Sequence, residues 1–196
     1  MDLQKHSNEP IAGAVRIAHS GELWKGFHIA EYSWKPAQIK NQRIQGHRLA
    51  FNLGTPMVVQ WKEPLHGSKT GIYTREGFGI LPDGEPNNTE WRQPVHAAIV
   101  TIDPWALNNQ YETDITFQQR RCIDDPVPSQ IVHALLAEMK QKTFIGKIYG
   151  DMLVFLFNTH VVSHHSTSSI KNFQKGKYSF VVIMVDQSLL LRKQGI

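Results

Sequence analysis

Residues 75–91 read REGFGILPDGEPNNTEW. Phe78, Ile80 and Leu81 form a short apolar segment that stops at Pro82. Pro82-Asp83-Gly84-Glu85-Pro86 then has the chemistry of a compact turn. Proline fixes φ, aspartate bonds its own backbone, and glycine reaches φ > 0. Asn87-Asn88-Thr89-Glu90-Trp91 leads out towards a second strand-like run, Val95–Ile102. Local chemistry alone makes this an ordinary β-turn. Its neighbours say more.

Upstream, short apolar runs alternate with Gly, Pro and Asn. Ala14–Ala18 and Phe27–Trp34 read as strands, the second ended by Pro36, which cannot join a central ladder. The polar stretch Ala37–Gln45 reads as a loop. In His47–Leu53, the side chains of His47, Leu49, Phe51 and Leu53 share one face. After Gly54-Thr55-Pro56, Met57, Val59 and Trp61 share a face of the next strand. Pro64–Ser68 reads as a loop and Lys69–Thr74 as a strand. Val95–Ile102 is nearly all apolar and is expected to be covered on both faces. Seven or eight short strands with regular turn signals predict an antiparallel sandwich or small barrel.

At Asp103-Pro104 the texture changes to a helix start, with Asp as N-cap and Pro at the first helical position. This helix is expected over Trp105–Asn109. Residues 111–126 are mixed. A second helix carries Ile131, Leu135, Leu136 and Met139 on one stripe. A third spans roughly Gly146–His164 and is more apolar than one buried stripe requires. The two should pair antiparallel. Its surplus, including Ile148, Met152, Phe155 and Leu156, would suit a partner subunit or the outer wall of the barrel.

The 196-residue chain is long enough for one domain with a real core. Its net charge of +4 is local, because five of its 21 Lys and Arg residues (Lys171, Lys175, Lys177, Arg192, Lys193) follow residue 170, opposed there only by Asp186. The remaining charges cancel, which argues against a basic nucleic-acid surface on the body. Residues 1–12 read as a disordered N-terminus without the apolar core of a signal peptide. No run is long enough to span a bilayer. The single cysteine, Cys122, excludes an intramolecular disulfide and fits a reducing cytosol. Residues 166–196 read as linker and tail, in which Tyr178–Val185 is β-prone.

Ten histidines invite a metal reading. His160 and His164 stand i, i+4 on a predicted helix, a spacing that can chelate zinc, but no third ligand is evident. A helix end that favours cations explains His164-His165 as well. His47 shares the parity of an apolar face and reads as a core histidine before a ligand. Cys122 beside Arg120 and Arg121 could have a lowered pKa, or be an ordinary structural cysteine. No nucleophile elbow or phosphate loop is present. Phe51, Trp61, Tyr73 and Trp91 could line a ligand cavity or fill a core.

As a set, HRLAFNLGTPMVVQWK, GFGILPDGEPNNTEW, VHAAIVTIDPWAL and IYGDMLVFLFNTHVV resemble the N-terminal half of AraC-family transcription regulators over about residues 13–165. The resemblance implies an α+β fold: a cupin-like antiparallel β-barrel of jelly-roll type (13–110), then a helical dimerisation segment (111–165). It implies a small-molecule effector and a homodimer, or a heterodimer with a full-length relative. Pro82 and Gly84 match the second cupin motif, but its metal-ligand His falls at Asn87, a poor replacement for imidazole. The expectation is therefore a sensor with no catalytic residues, metal or cofactor. Candidate effector-binding residues are His47, Phe51, Trp61, Tyr73 and Trp91; candidate dimerisation residues are Ile148, Met152, Phe155 and Leu156. The family's DNA-binding half needs about 100 residues. The tail is too short for it, so the chain reads as a truncated, cytoplasmic regulator without specific DNA binding. The alternative is a small cupin enzyme of isomerase or oxygenase type.

Overall fold

The computed structural model describes residues 13–63, 67–141 and 144–168. The expectations for residues 1–12 and for the tail from 169 onwards, Tyr178–Val185 included, lie outside these residues. Ten strands and three helices are described: β1 (Ala14–His19), β2 (Phe27–Trp34), β3 (Ala37–Arg43), β4 (His47–Asn52), β5 (Met57–Glu63), β6 (Gly67–Tyr73), β7 (Gly77–Leu81), β8 (Pro86–Trp91), β9 (Val95–Ile102), α1 (Pro104–Tyr111), β10 (Arg120–Asp124), α2 (Pro126–Gln141) and α3 (Phe144–His165).

Strand pairing is nested. β2 pairs β9, β3 pairs β8, β4 pairs β7 and β5 pairs β6, all antiparallel. A long two-stranded ribbon, tipped by the β5–β6 hairpin, is thus wound into two sheets, which is jelly-roll topology. One sheet runs β1-β2-β9-β4-β7-β10 and the other β3-β8-β5-β6. The fold is α+β, as the sequence predicts.

Three segments differ from expectation. Ala37–Gln45 is not a loop, because β3 occupies most of it. As an edge strand it needs only Ile39 buried, so its polarity hid it. β8 was obscured because its buried positions are Asn87, Thr89 and Trp91. Residues 111–126 contain β10, which returns to the far edge of the six-stranded sheet. Further on, Ser166–Ser168 do not behave as linker. Thr167 donates its amide to the Thr116 carbonyl, and the Ser168 hydroxyl donates to the Asp114 carbonyl.

α1 starts as predicted: Asp103 accepts the Trp105 amide at 2.9 Å and Pro104 follows. α2 and α3 lie antiparallel, since Asp125 at the start of α2 meets His160 and His165 at the end of α3. They cover the outer face of the six-stranded sheet. Phe27, Ile29, Leu49, Phe51, Phe78, Ile80, Ala98, Val100 and Ile102 supply the sheet side of this core. Val132, Leu135, Leu136, Met139, Leu153, Phe157 and Val161 supply the helix side. The Phe157 ring, fully buried, meets Phe27 and Phe51 edge-on at 5.5 and 5.8 Å. A second, smaller core lies between the sheets and contains Tyr32, Trp34, Ile39, Trp91, Val95 and Ala97. The central strands of the six-stranded sheet are therefore buried on both faces, while β1 at its edge stays largely exposed.

The 82–85 turn acts as a clasp. The Asp83 carboxylate accepts the Gly46 amide at 2.6 Å, and the Gly84 amide donates to the Ile44 carbonyl. Arg43 donates to the Gly84 carbonyl at 2.7 Å. The β7–β8 connection is thereby fixed to the β3–β4 connection. Gly84 has φ +72°, a conformation that favours glycine.

Candidate functional site

Between the sheets lies a cavity with about 90 Å³ of room for the centres of water-sized groups. One such group needs roughly 10–15 Å³, so the space suits a small organic molecule. Its wall is largely apolar: Trp34, Ile39, Met57, Val59, Leu81, Trp91, Val95 and Ile99. Polar side chains enter from Arg48, Asn52, Tyr73, Asn87, Thr89 and Arg121.

Strand parity selects these residues. On β4, Leu49 and Phe51 belong to the helix-side core, so Arg48, Ala50 and Asn52 face inward. Asn52 is spent on structure. Its amide nitrogen donates to the carbonyls of Thr55 and Thr74, both at 2.9 Å, and its Oδ1 accepts the Gly54 amide. On β8, Asn87, Thr89 and Trp91 face inward. Trp91 is anchored by its indole N–H to the Lys35 carbonyl at 3.0 Å.

Arg121 reaches the cavity because β10 is irregular. Arg120 bonds His165 on the helix side, and Ile123 sits in the helix-side core. Three residues apart, they would face opposite ways on a regular strand. The register shifts between them, and Cys122 takes φ +53°. This bulge puts both on the outer face and leaves Arg121 inward. There Arg121 donates to Asn87 Oδ1 at 3.0 Å, which also accepts the Thr89 hydroxyl at 2.6 Å.

The sequence-selected residues divide. Tyr73 and Trp91 line the cavity, and so does Asn87 of the turn motif. Phe51 borders it, yet its ring stacks on Phe78 at 4.8 Å and meets Phe157 on the helix side. His47 is not in the cavity. It is buried on the outer face, accepts the Asp83 amide through Nδ1 at 3.2 Å, and lies against the Phe117 ring at 4.9 Å. Burial pushes its pKa down, against the opposing fields of Asp83 and Asp103. Trp61 continues the inner face of β5 past the cavity, close to Gly71, and its indole donates to Glu63 at 3.0 Å. Arg48 and Arg121 were not among the candidates. The alternation of His47, Leu49 and Phe51 drew attention to the opposite face, and nothing local announces the β10 bulge.

Burial pushes the Cys122 thiol up despite Arg121, so the activated-thiol reading is not supported. The histidine pair also differs from its i, i+4 expectation. His164 bonds the His160 carbonyl within its own helix at 3.0 Å. The partners that converge are Asp125, His160 and His165: one carboxylate oxygen faces the two Nε2 atoms at 2.8 and 2.9 Å. Burial pushes the Asp125 carboxyl up, but hydrogen bonds from His160, His165 and the Val127 amide outweigh it and hold the group below its usual range. This cluster joins α2 to α3 on the outer side of the sheet, with the Arg120 guanidinium 3.4 Å from His165 Nδ1.

Nested strand pairing around an inner cavity, with Pro82-Asp83-Gly84 at the β7–β8 turn, defines a cupin-like domain. Many such domains hold a transition metal on imidazole and carboxylate ligands. Among the described residues the cavity lining includes no His, Cys, Asp or Glu, so these residues do not fit one.

Among solved structures, the chain is similar to a cupin domain from Bordetella pertussis Tohama I, with 16% identity and a TM-score of 0.38 over 48% of this chain and 98% of that one. It is similar to a cupin superfamily protein from Desulfitobacterium hafniense DCB-2, with 10% identity and a TM-score of 0.36 over 48% and 82%. A mutant oxalate decarboxylase from Bacillus subtilis shares 13% identity, with a TM-score of 0.37 over 53% of this chain and 29% of that one. No protein-family model and no curated protein matches the sequence.

Proposed function

We propose that this chain is a non-enzymatic sensing module. It binds a small molecule between its sheets and pairs with a second copy, or a longer relative, through α3. The finer reading is the effector-binding and dimerisation half of an AraC-type transcription regulator. The cavity carries the proposal: it is lined mainly by apolar walls, has a few polar groups, and among the described residues its lining has none of the residue types that would hold a catalytic metal. The competing reading, a small cupin enzyme, would need such ligands.

Support for pairing comes from α3. Ile148 and Met152 are 51% and 50% exposed, one helical turn apart, with Tyr149 beside them at 47%. Phe155 and Leu156, half-buried, continue the stripe. An apolar strip of this kind on an outer helix suits a second copy of the same surface. Sedimentation velocity at micromolar concentration should show a dimer that Ile148→Glu with Met152→Glu converts to monomer. A strict monomer would end the pairing proposal. A small-molecule panel read by thermal shift tests the sensing proposal, and stoichiometric tightly bound metal in purified protein would favour the enzyme.

A further inference from the structure

The polar end of the cavity carries charge of one sign only. Arg48 and Arg121 both line it, and among the described residues no carboxylate does. Among the described residues no ion pair reaches either guanidinium. Both Nε atoms are buried without a hydrogen-bond partner. Arg121 bonds only neutral groups, the Asn87 amide and the Tyr73 hydroxyl. Arg48 makes no such bond among the described residues; the side chain whose field acts on it is Tyr32, a phenol that is neutral at neutral pH. Desolvation pulls the Arg48 pKa down.

Buried, unpaired guanidiniums are costly, because water is lost and nothing replaces it. Two at one cavity, with unused forked donors, are the receptor half of an ion pair. Their placement suits a shared partner. β7 runs between β4 and β10, so Arg48 and Arg121 enter from either side of it. On β7, Leu81 stands opposite Arg48, and Gly79, two residues along the same face, leaves its space to the Tyr73 hydroxyl. A Cβ there would collide with that oxygen.

We infer that the ligand of this cavity is a small monocarboxylate with an apolar body, its carboxylate held by Arg48 and Arg121 and its body by the walls around Trp34, Met57 and Trp91. The inference rests on the sensing reading above and specifies its ligand. A carboxylate fits better than inorganic phosphate, because most of the wall is apolar and offers a strongly hydrated ion no further donors.

Calorimetric titration of the full chain with benzoate, benzamide and inorganic phosphate tests this. Benzoate and benzamide match in shape and differ in charge. Benzoate should bind with a Kd lower than that of benzamide by about tenfold or more, the scale of one charge-assisted hydrogen bond. Arg48→Met and Arg121→Met should each abolish that preference and leave benzamide binding within about twofold. Ligand-free Arg48→Met should melt no lower than the wild type, since an unpaired cation is removed. Equal affinity for the acid and the amide overturns the anion inference and leaves the sensing proposal standing. Phosphate binding that outcompetes benzoate overturns the apolar body. Binding of none of the three overturns the monocarboxylate inference, while the sensing proposal is decided by the wider thermal-shift panel. An Arg48→Met protein that melts lower assigns Arg48 to the fold and overturns its role as receptor.

Discussion

His28 should set the acid limit of this domain's stability. It lies on the inner face of β2, half-buried, with its Nε2 enclosed and unpartnered. Burial first, then the fields of His19, Arg16 and Arg48, push its pKa down from 6.5 to about 4. His19 stacks beside it with ring centroids 6.3 Å apart. The unfolded chain therefore takes up a proton near pH 6.5 that the folded chain refuses until about pH 4. His28 costs nothing above that window, destabilises the fold progressively as pH falls through it, and adds no further slope below it. At about 1.4 kcal/mol per pH unit, the shift sets a ceiling of about 3 kcal/mol, and water around the half-exposed ring lowers this to roughly 2 kcal/mol. For a chain of this size, that is a fall in Tm of about 4–8 °C. The perturbation is His28→Leu, which removes the titration and fills the same space. Urea unfolding of both proteins at pH 7 and pH 4.5 should show the variant losing about 2 kcal/mol less than the wild type. His47 and His165 titrate in both proteins and drop out of the comparison. Equal losses would refute the reasoning, because burial of the ring would then not exclude its proton.

Other perturbations probe the remaining layers. Phe157→Ala removes a fully buried ring from between Phe27 and Phe51. It should cost about 3–5 kcal/mol in urea unfolding, while ligand affinity, set on the other face of the sheet, stays within about twofold. Gly46→Ala forces an L side chain into φ +82° with its Cβ 2.8 Å from Thr101 Cγ2 and 3.1 Å from the Ile102 carbonyl oxygen. A Tm loss equivalent to more than about 1 kcal/mol is expected, and a neutral effect would contradict the clasp geometry. Asp125→Ala leaves His160 and His165 without their common acceptor. Because the folded Asp125 pKa lies below its unfolded value, its contribution is present above about pH 4 and fades as pH falls through the folded value. The variant should therefore be less stable by about 1–2 kcal/mol at pH 7, and the difference should shrink as pH falls below about 4.

The sequence by itself determined the class of fold, the start of α1 and the helix pair. Those signals are local: turn residues at Pro82-Asp83-Gly84, an N-cap at Asp103 and helical stripes through Leu135 and Phe155. It also marked the strand His47–Leu53, but not which way that strand faces. An apolar face identifies the inside only when the other face meets water. Here helices cover one side of the sheet and a second sheet covers the other, so His47, Leu49 and Phe51 could have faced either layer. Only the tertiary structure decided that they face the helix-side layer, and that Arg48 therefore enters the cavity. It also decided the inward turn of Arg121, through a bulge at Cys122 that no periodicity reveals. Likewise, helical spacing paired His160 with His164, whereas the position of Asp125 at the start of α2 selects His165. In each case the deciding contact lies far away in sequence, and a residue's own neighbours in the chain carry no record of it.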